Sequence, residues 1–228
     1  MKKYLYLMVF ACFTLYQFPL SAVYKIKDGK IVNMKNLATM DEKSHFKIAV
    51  DSMKKKDFRT AIKQFNIISH SFPKSLYAAE SLYFLGVIHY QLGELDLANH
   101  SFADYMVFPD HSEYFEKAIR YRLNIAEIFS GGERKHIFGM RTMPKLITAY
   151  EDALEIYDEV ITLLSHNPLA AQAILKKAAL ELQMEDYLAA QESLKNLIRR
   201  FPLSEESSEA YLTLGSLYLK QTRAESHN

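Results

Sequence analysis

Cysteine, glycine and proline are scarce in this chain of 228 residues, and each scarcity excludes a class of protein. The single cysteine, Cys12, excludes a disulfide framework and a metal site built on cysteine. Seven glycines and six prolines, beside 49% hydrophobic residues, exclude a low-complexity or disordered chain. We therefore expect a folded protein with an ample hydrophobic core.

An excess of charge of one sign is also missing. The chain has 28 Lys and Arg against 27 Asp and Glu, and this balance argues against bulk nucleic-acid binding, which needs a strong basic field. No serine nucleophile elbow is present, and the eight histidines are scattered without metal-ligand spacing. The Gly131-Gly132 pair is not followed by Gly-Lys-Ser/Thr, so it is not a phosphate loop. We predict a protein that is not an enzyme and that has no cofactor and no metal.

The first 22 residues have the pattern of an export signal. Lys2 and Lys3 precede an apolar run over residues 4–20, and the small residue Ala22 then offers a cleavage point. The run is too short and too interrupted to make a good membrane-spanning helix. An uncleaved anchor or a buried helix is the alternative. Removal of residues 1–22 takes away two lysines and no acid, so the net charge becomes slightly negative.

Cys12 raises the question of lipidation, because bacterial lipoproteins are cut just before a cysteine that becomes acylated. The sequence Val9-Phe10-Ala11-Cys12 is a poor version of that site, since Phe10 is bulky and the apolar run continues past the cysteine. We favour cleavage after Ala22 and keep lipidation of Cys12 as the alternative. Cys12 is otherwise one more apolar residue of the export signal.

A helical pattern that closes near a proline recurs along the chain. In each copy a small residue is followed four residues later by a large apolar one, and the small residues are spaced by 37, 55 and 37 residues. Self-similarity with a period in the thirties is typical of a solenoid of stacked helix pairs. The small and large residues are Ala61 and Phe65, Ala98 and Phe102, Ala153 and Tyr157, and Ala190 and Leu194, and the closing prolines are Pro73, Pro109, Pro168 and Pro202.

The repeats resemble the tetratricopeptide repeat, in which small residues lie where the two helices of a pair meet. The second copy fits best, through Leu85-Gly86, Gly93, Ala98 and Phe102. We predict an all-α fold, a right-handed α-solenoid of about five tetratricopeptide-like helix pairs, the last of them partial. The helix starts are marked by acidic residues, which suit a helix N-terminus. These residues are Asp41, Asp57, Glu94 and Asp186.

The predicted organisation has four parts. An export signal peptide covers residues 1–22, an irregular lead-in covers 23–40, the solenoid covers 41–220, and a polar tail covers 221–228. An insertion at about 130–148 distorts the third repeat. No alternating strand segment of useful length is apparent.

The concave side of such a solenoid is lined by the first helix of each pair. The motif places six apolar or aromatic residues there in the first two repeats, with Glu80 and Gln91 at the rim, and we predict a groove for a peptide segment. Alternatively, these residues pack against residues 23–40, or the register is shifted by one. The six are Phe46, Val50, Met53, Tyr83, Val87 and Tyr90. The equivalent positions of the last repeats are Leu175, Ala179, Leu182, Leu212 and Leu219, which suit a flat protein contact.

The insertion carries an excess of positive charge and two apolar residues beside its glycine pair. Arg134, Lys135, Arg141 and Lys145 are candidates for binding an acidic partner or lipid head groups. The other interpretation is a solvated connecting loop without a binding role.

A narrower resemblance rests on two stretches of the second repeat and one of the fourth. Residues 72–78 read Phe-Pro-Lys-Ser-Leu-Tyr-Ala, residues 108–112 read Phe-Pro-Asp-His-Ser, and residues 200–202 read Arg-Phe-Pro. Together with the export signal they resemble the BamD-type outer-membrane assembly lipoprotein family of Gram-negative bacteria. That resemblance implies a periplasmic scaffold at the inner face of the outer membrane. It implies that N-terminal repeats bind unfolded outer-membrane proteins and that C-terminal repeats bind the central barrel-assembly protein.

Two other functions stay open. The first is a periplasmic tetratricopeptide-repeat adaptor of envelope division or peptidoglycan coordination, similar to the TolA-binding coordinators. Those proteins usually carry a coiled coil before their repeats, and residues 23–40 are too short for one. The second is an exported effector or chaperone with tetratricopeptide repeats.

Overall fold

The computed structural model describes residues 24–27, 30–33, 37–108, 113–136 and 145–226. Nine helices lie in this part of the chain, as four successive pairs and a closing helix, and the predicted all-α solenoid is confirmed. The pairs are α1 (Glu42–Lys54) with α2 (Phe58–Ser71), α3 (Leu76–Gln91) with α4 (Leu95–Met106), α5 (Phe115–Ser130) with α6 (Tyr150–Leu163), and α7 (Pro168–Gln183) with α8 (Tyr187–Arg200), followed by α9 (Glu205–Ser226).

The small and large residues of the repeat pattern form the core. Ala61, Ala98, Ala153 and Ala190 are all fully buried, because the second helix of each pair meets the first at these positions. The large residues four positions later are buried as well, and they fill the space between the helices. The hydrophobic core is divided into three clusters, over α1–α3, over α3–α7 and over α7–α9.

The predicted helix starts are confirmed. The side chains of Asp41, Asp57 and Asp186 each accept a hydrogen bond from the backbone N–H three residues later, which satisfies a donor that the first turn leaves free. Glu94 also occupies an N-cap position, and its carboxylate lies 2.6 Å from His89 Nδ1.

The turns inside the four pairs share one backbone conformation. The second residue after each first helix has a left-handed φ: 60° at Lys56, 71° at Gly93, 88° at Gly132 and 62° at Glu185. Glycine adopts this conformation without a steric penalty, whereas a residue with a Cβ does so at a small cost. The turn geometry is therefore constant although its sequence is not.

Two short hairpins add strands that the sequence pattern does not reveal. Strands β1 (Tyr24–Lys27) and β2 (Lys30–Asn33) pair antiparallel where an irregular lead-in was expected, with Lys27 opposite Lys30. Strands β3 (Arg134–His136) and β4 (Lys145–Thr148) pair within the insertion. The runs are too short to show alternation, so the Asp28-Gly29 turn sequence was the one local indication of the first hairpin. Helix α9 continues to Ser226, into the segment that was expected to be a polar tail.

Candidate protein-binding surface

Three of the six predicted groove residues lie on α1 and are half-buried. Phe46, Val50 and Met53 pack against the cluster over α1–α3. The Phe46 ring centroid lies 5.0 Å from that of Tyr77 and 5.8 Å from that of Phe65. These side chains join the first repeat to the second, and half of their surface at most is left for a ligand.

Tyr83 is a core residue, and the prediction that it is exposed is wrong. Its side chain is 6% exposed, and its ring stacks on Tyr114 with centroids 4.4 Å apart. Burial, followed by the neighbouring Tyr121 and Tyr105, raises the pKa of Tyr83 to about 12. Tyr114, at the start of the third repeat, covers this position.

Val87 and Tyr90 remain half-buried on the same helix. The Tyr90 ring meets Tyr121 of α5 edge-on, with centroids 5.0 Å apart. Both side chains pack against the central cluster and keep part of their surface in solvent. Of the three predicted groove residues on the second repeat, Val87 and Tyr90 are therefore partly exposed and Tyr83 is not. Their role in peptide binding stays a prediction.

Two carboxylates accompany the tyrosines between the second and third repeats. Burial, with the charge of Glu113 as a second cause, raises the pKa of Glu80 above its ordinary value. Burial also raises the pKa of Tyr114 to about 12, together with a hydrogen bond to Glu113. The Tyr105 hydroxyl accepts a hydrogen bond from the Tyr114 backbone N–H at 3.2 Å. A cationic group of a partner would meet two acids and an aromatic surface here.

An apolar pocket lies beside the turn between α2 and α3. Its volume is about 360 Å³, and its walls come from the turn, the start of α3 and the end of α4. Leu76 is 60% exposed and Val107 is 82% exposed, so two large apolar side chains stand open at its mouth. The pocket is lined by Pro73, Lys74, Ser75, Leu76, Ala79, Val107 and Phe108.

A polar groove of about 700 Å³ lies on α7 and α8. Lys195 and Arg199 supply positive charge and Glu192 supplies negative charge, while Lys177 is paired with Asp158, and Leu188 is 78% exposed beside them. Gln191 lines the groove and is 8% exposed, and its Nε2 has no hydrogen-bond partner. This groove has the mixed apolar and charged character of a protein contact surface.

Arg122 is a buried charge that the sequence analysis missed. It is 3% exposed in α5, and its Nε donates to Asn99 Oδ1 at 2.8 Å while Nη2 pairs with Glu159. It occupies a position forty residues after Leu82, where the previous repeat has a large apolar residue. A charged residue at an apolar position of the motif was therefore the signal that could have found it. Its partners on α4 and α6 tie the second repeat to the third.

The insertion residues are described in part. Arg134 is exposed, Lys135 and Lys145 lie in the paired strands β3 and β4, and Arg141 lies outside the described residues. Cys12 and the predicted export signal also lie outside them. The structure tests neither the export signal nor the lipidation of Cys12.

Clusters of metal-ligating side chains and membrane-spanning helices are both absent from the part of the chain that the structure describes. Among the residues that the structure covers, no group of three or more His, Cys, Asp or Glu side chains could hold a metal ion. In the same residues, no helix combines the length and the apolar character needed to cross a membrane.

Sequence comparison agrees with the geometry of the helix pairs. The sequence model of the tetratricopeptide repeat matches residues 46–107 and 175–226, which make up half of the chain. The fold and these matches define a class of helical-repeat proteins that bind other proteins and are typically not catalytic. The chain belongs to the tetratricopeptide repeat family.

Two solved structures are similar to this chain. The crystal structure of MamA protein is 19% identical, with a TM-score of 0.45, over 81% of this chain and 85% of that one. A tetratricopeptide repeat protein from Parabacteroides merdae is 18% identical, with a TM-score of 0.44, over 81% of this chain and 63% of that one. No curated protein matches the sequence.

Proposed function

We propose that this protein is a non-enzymatic periplasmic scaffold of the machinery that assembles outer-membrane β-barrel proteins. The observation that carries the proposal is the presence of two separate surface cavities, an apolar one on the first two repeats and a polar one on the fourth. A scaffold that joins a substrate to a machine needs two such surfaces. The export-signal pattern of residues 1–22 and the resemblance of residues 72–78 and 108–112 to the BamD-type family support the location and the pathway.

The first surface suits an extended substrate segment that ends in an aromatic residue. The pocket between Leu76 and Val107 has the volume and the apolar lining for one aromatic side chain. Val87 and Tyr90 add partly exposed apolar surface on the same repeat. Unfolded outer-membrane proteins are the partners that we assign to this end of the molecule.

The second surface suits a folded protein, which we take to be the central barrel-assembly protein. Leu188 offers an apolar anchor, and Lys195 and Arg199 frame it with positive charge. Association with the inner face of the outer membrane then follows from this partner, or from acylation of Cys12 if the export signal is cut there.

The test is a pull-down of the tagged protein from its native envelope in mild detergent, with mass spectrometry of the proteins that co-purify. We expect the barrel-assembly protein and unfolded outer-membrane proteins with the wild type. The Leu188→Glu variant should no longer recover the barrel-assembly protein but should still recover unfolded outer-membrane proteins. The Leu76→Glu variant should lose the unfolded outer-membrane proteins and keep the barrel-assembly protein. Both leucines are largely exposed, so neither change removes core packing.

One control variant accompanies this test. Leu203→Glu changes a fully exposed leucine outside both surfaces and should leave the pattern unchanged. Tyr83 is unsuitable as a probe, because its loss empties the core. Recovery of division or peptidoglycan-associated proteins in place of the barrel-assembly protein would overturn the proposal in favour of the adaptor function.

A further inference from the structure

The closing helix α9 carries a glycine, Gly215, on which no second helix of the described chain packs, in contrast to Gly86 of α3. At Gly86, a Cβ would lie 2.6 Å from the Phe102 ring, because the second helix of that pair packs directly on the glycine. Gly215 stands in the same Leu-Gly motif, yet a Cβ there would meet nothing within 4 Å. The surface of α9 around Gly215 is therefore uncovered, and the missing side chain would let another helix approach it closely.

Large apolar side chains surround this glycine and are exposed. Tyr211 and Leu212 are 59% and 78% exposed, and Tyr218 and Leu219 are 42% and 63% exposed. With about 3.6 residues per turn, the positions three and four residues to either side of Gly215 lie on one face of the helix. We call these four residues and Gly215 the α9 face. In the part of the chain that the structure describes, nothing packs on Gly215, and Lys195 of α8 reaches the face at Tyr218, where its Nζ lies 5.7 Å from the ring centroid.

We propose that the α9 face pairs with the α9 face of a second copy of this chain, antiparallel and about a two-fold axis that passes near Gly215. Such an axis exchanges positions before the glycine with positions after it. Tyr211 then opposes Leu219 of the second copy, and Leu212 opposes Tyr218 of the second copy. The face is self-complementary, as an isologous interface requires.

Charge favours the antiparallel direction. Glu205 and Glu206 lie in the first turn of α9 and Glu209 follows, whereas the end of the helix mixes Lys220 and Arg223 with Glu225, and Lys220 already donates to the Tyr187 hydroxyl at 3.4 Å. Antiparallel pairing keeps the acidic starts of the two helices apart and also opposes the two helix dipoles. Parallel pairing would bring three acids of each copy together.

The size of the α9 face is sufficient for a specific dimer. Two tyrosines and two leucines exposed to this extent on each copy would bury on the order of 1,000 Å² in total, near the lower limit for specific interfaces. Glycine at the centre lets the two backbones approach closely, so that the larger residues on either side interlock. We therefore expect a reversible dimer with a dissociation constant in the micromolar range.

The experiment is sedimentation equilibrium of the purified full-length chain over a range of concentrations. We expect a monomer–dimer equilibrium that Leu212→Lys weakens by roughly 100-fold, because pairing would bury the new charge. Leu203→Lys is the matched control, since Leu203 is fully exposed and lies outside the α9 face. It should leave the equilibrium unchanged, and circular dichroism should show equal helicity in all three proteins.

Disulfide cross-linking in a Cys12→Ser background tests the direction. A mixture of Leu212→Cys and Tyr218→Cys chains should cross-link on oxidation, whereas either variant alone should cross-link much less. A chain that stays monomeric at every concentration, or a dimer that Leu212→Lys does not weaken, overturns the inference. Efficient cross-linking of Leu212→Cys alone would overturn the antiparallel arrangement. The proposed envelope function does not depend on any of these results.

Discussion

Glu181 is a single residue whose burial lowers the stability of the folded protein. Its side chain lies in α7, 5% exposed, and its Oε2 has no hydrogen-bond partner. Burial is the main cause that raises the pKa of Glu181, and Ser193 and Lys177 only partly oppose it. Lys177 lies 3.7 Å from Glu181 Oε1 but 2.5 Å from Asp158 Oδ1, so its closer partner is the aspartate.

We predict that Glu181→Gln stabilises the protein at neutral pH by about 1 kcal/mol, because it removes a buried charge with an unpaired oxygen. A raised pKa means that the folded state binds the proton more tightly than the unfolded state. Stability of the wild type therefore increases as the pH falls through the raised pKa toward the ordinary value of 4.5. The gain from the substitution should shrink over the same range, as urea unfolding at several pH values would show.

Glu192→Gln is the matched control for this prediction. Glu192 lies exposed on the neighbouring helix α8, where water solvates the carboxylate. Its substitution should leave the free energy of unfolding within a few tenths of a kcal/mol of the wild type. An equal gain from both substitutions would mean that net charge, rather than burial, is the cause.

At the scale of the element, we predict that the same substitution, glycine to alanine, has opposite effects on stability in the two Leu-Gly motifs. Gly86→Ala should destabilise the protein by about 1–3 kcal/mol, because the new methyl group would overlap the Phe102 ring, which is itself fully buried. Gly215→Ala should stabilise it by about 0.5–1 kcal/mol, because alanine has the higher helix propensity and meets nothing.

Thermal unfolding at low protein concentration, where a dimer would dissociate, measures both effects. Each variant serves as the control for the other, since the chemical change is identical and only the surroundings differ. A loss of stability in Gly215→Ala would show that a helix or segment covers this glycine in solution.

The helices were predictable because the residues that start them act on backbone groups only a few residues away. Asp41, Asp57 and Asp186 cap helices through their own side chains and a backbone N–H three residues away, so one turn of sequence suffices. The hairpins were missed for the opposite reason. Strands of three and four residues hold too few side chains for a period of two to appear, and their pairing depends on the turn between them.

At the scale of the whole molecule, the three clusters make stability a property of neighbouring repeats. The first cluster is confined to α1–α3, and the third is confined to α7–α9. Each repeat in such an array is stabilised by its own core and by contact with the next. A substitution at one end should therefore affect that end most.

We predict that Phe65→Ala lowers the free energy of unfolding of the first two repeats by about 3–5 kcal/mol, because Phe65 is fully buried in their cluster. Native-state hydrogen exchange should show faster exchange of amides in α1–α3 and little change in α8 and α9. Leu194→Ala, at the equivalent position of the fourth repeat, should give the reverse pattern. Equal effects at both ends would show that the array unfolds as one cooperative unit.

The surface was harder to predict than the helices. The motif assigned Tyr83 to the concave side, but its burial depends on how the third repeat enters after Phe108, which repeat spacing does not determine. The pocket beside Leu76 and the pairing of Arg122 with Glu159 likewise require residues from two or three repeats to come together. The open face of α9 is different, since two of its residues, Leu212 and Leu219, are predicted from the sequence alone to form a flat protein contact, and both are exposed.

The left-handed turns have a consequence for how this chain could have evolved. In the third repeat the turn at Gly132 is followed by the hairpin of β3 and β4, yet Ala153 and Tyr157 still occupy the buried places that Ala98 and Phe102 hold one repeat earlier. New sequence was thus accommodated at a turn without disturbing the stack. Duplication followed by growth at such points would let an ancestral array acquire new surfaces while each copy kept its inherited core.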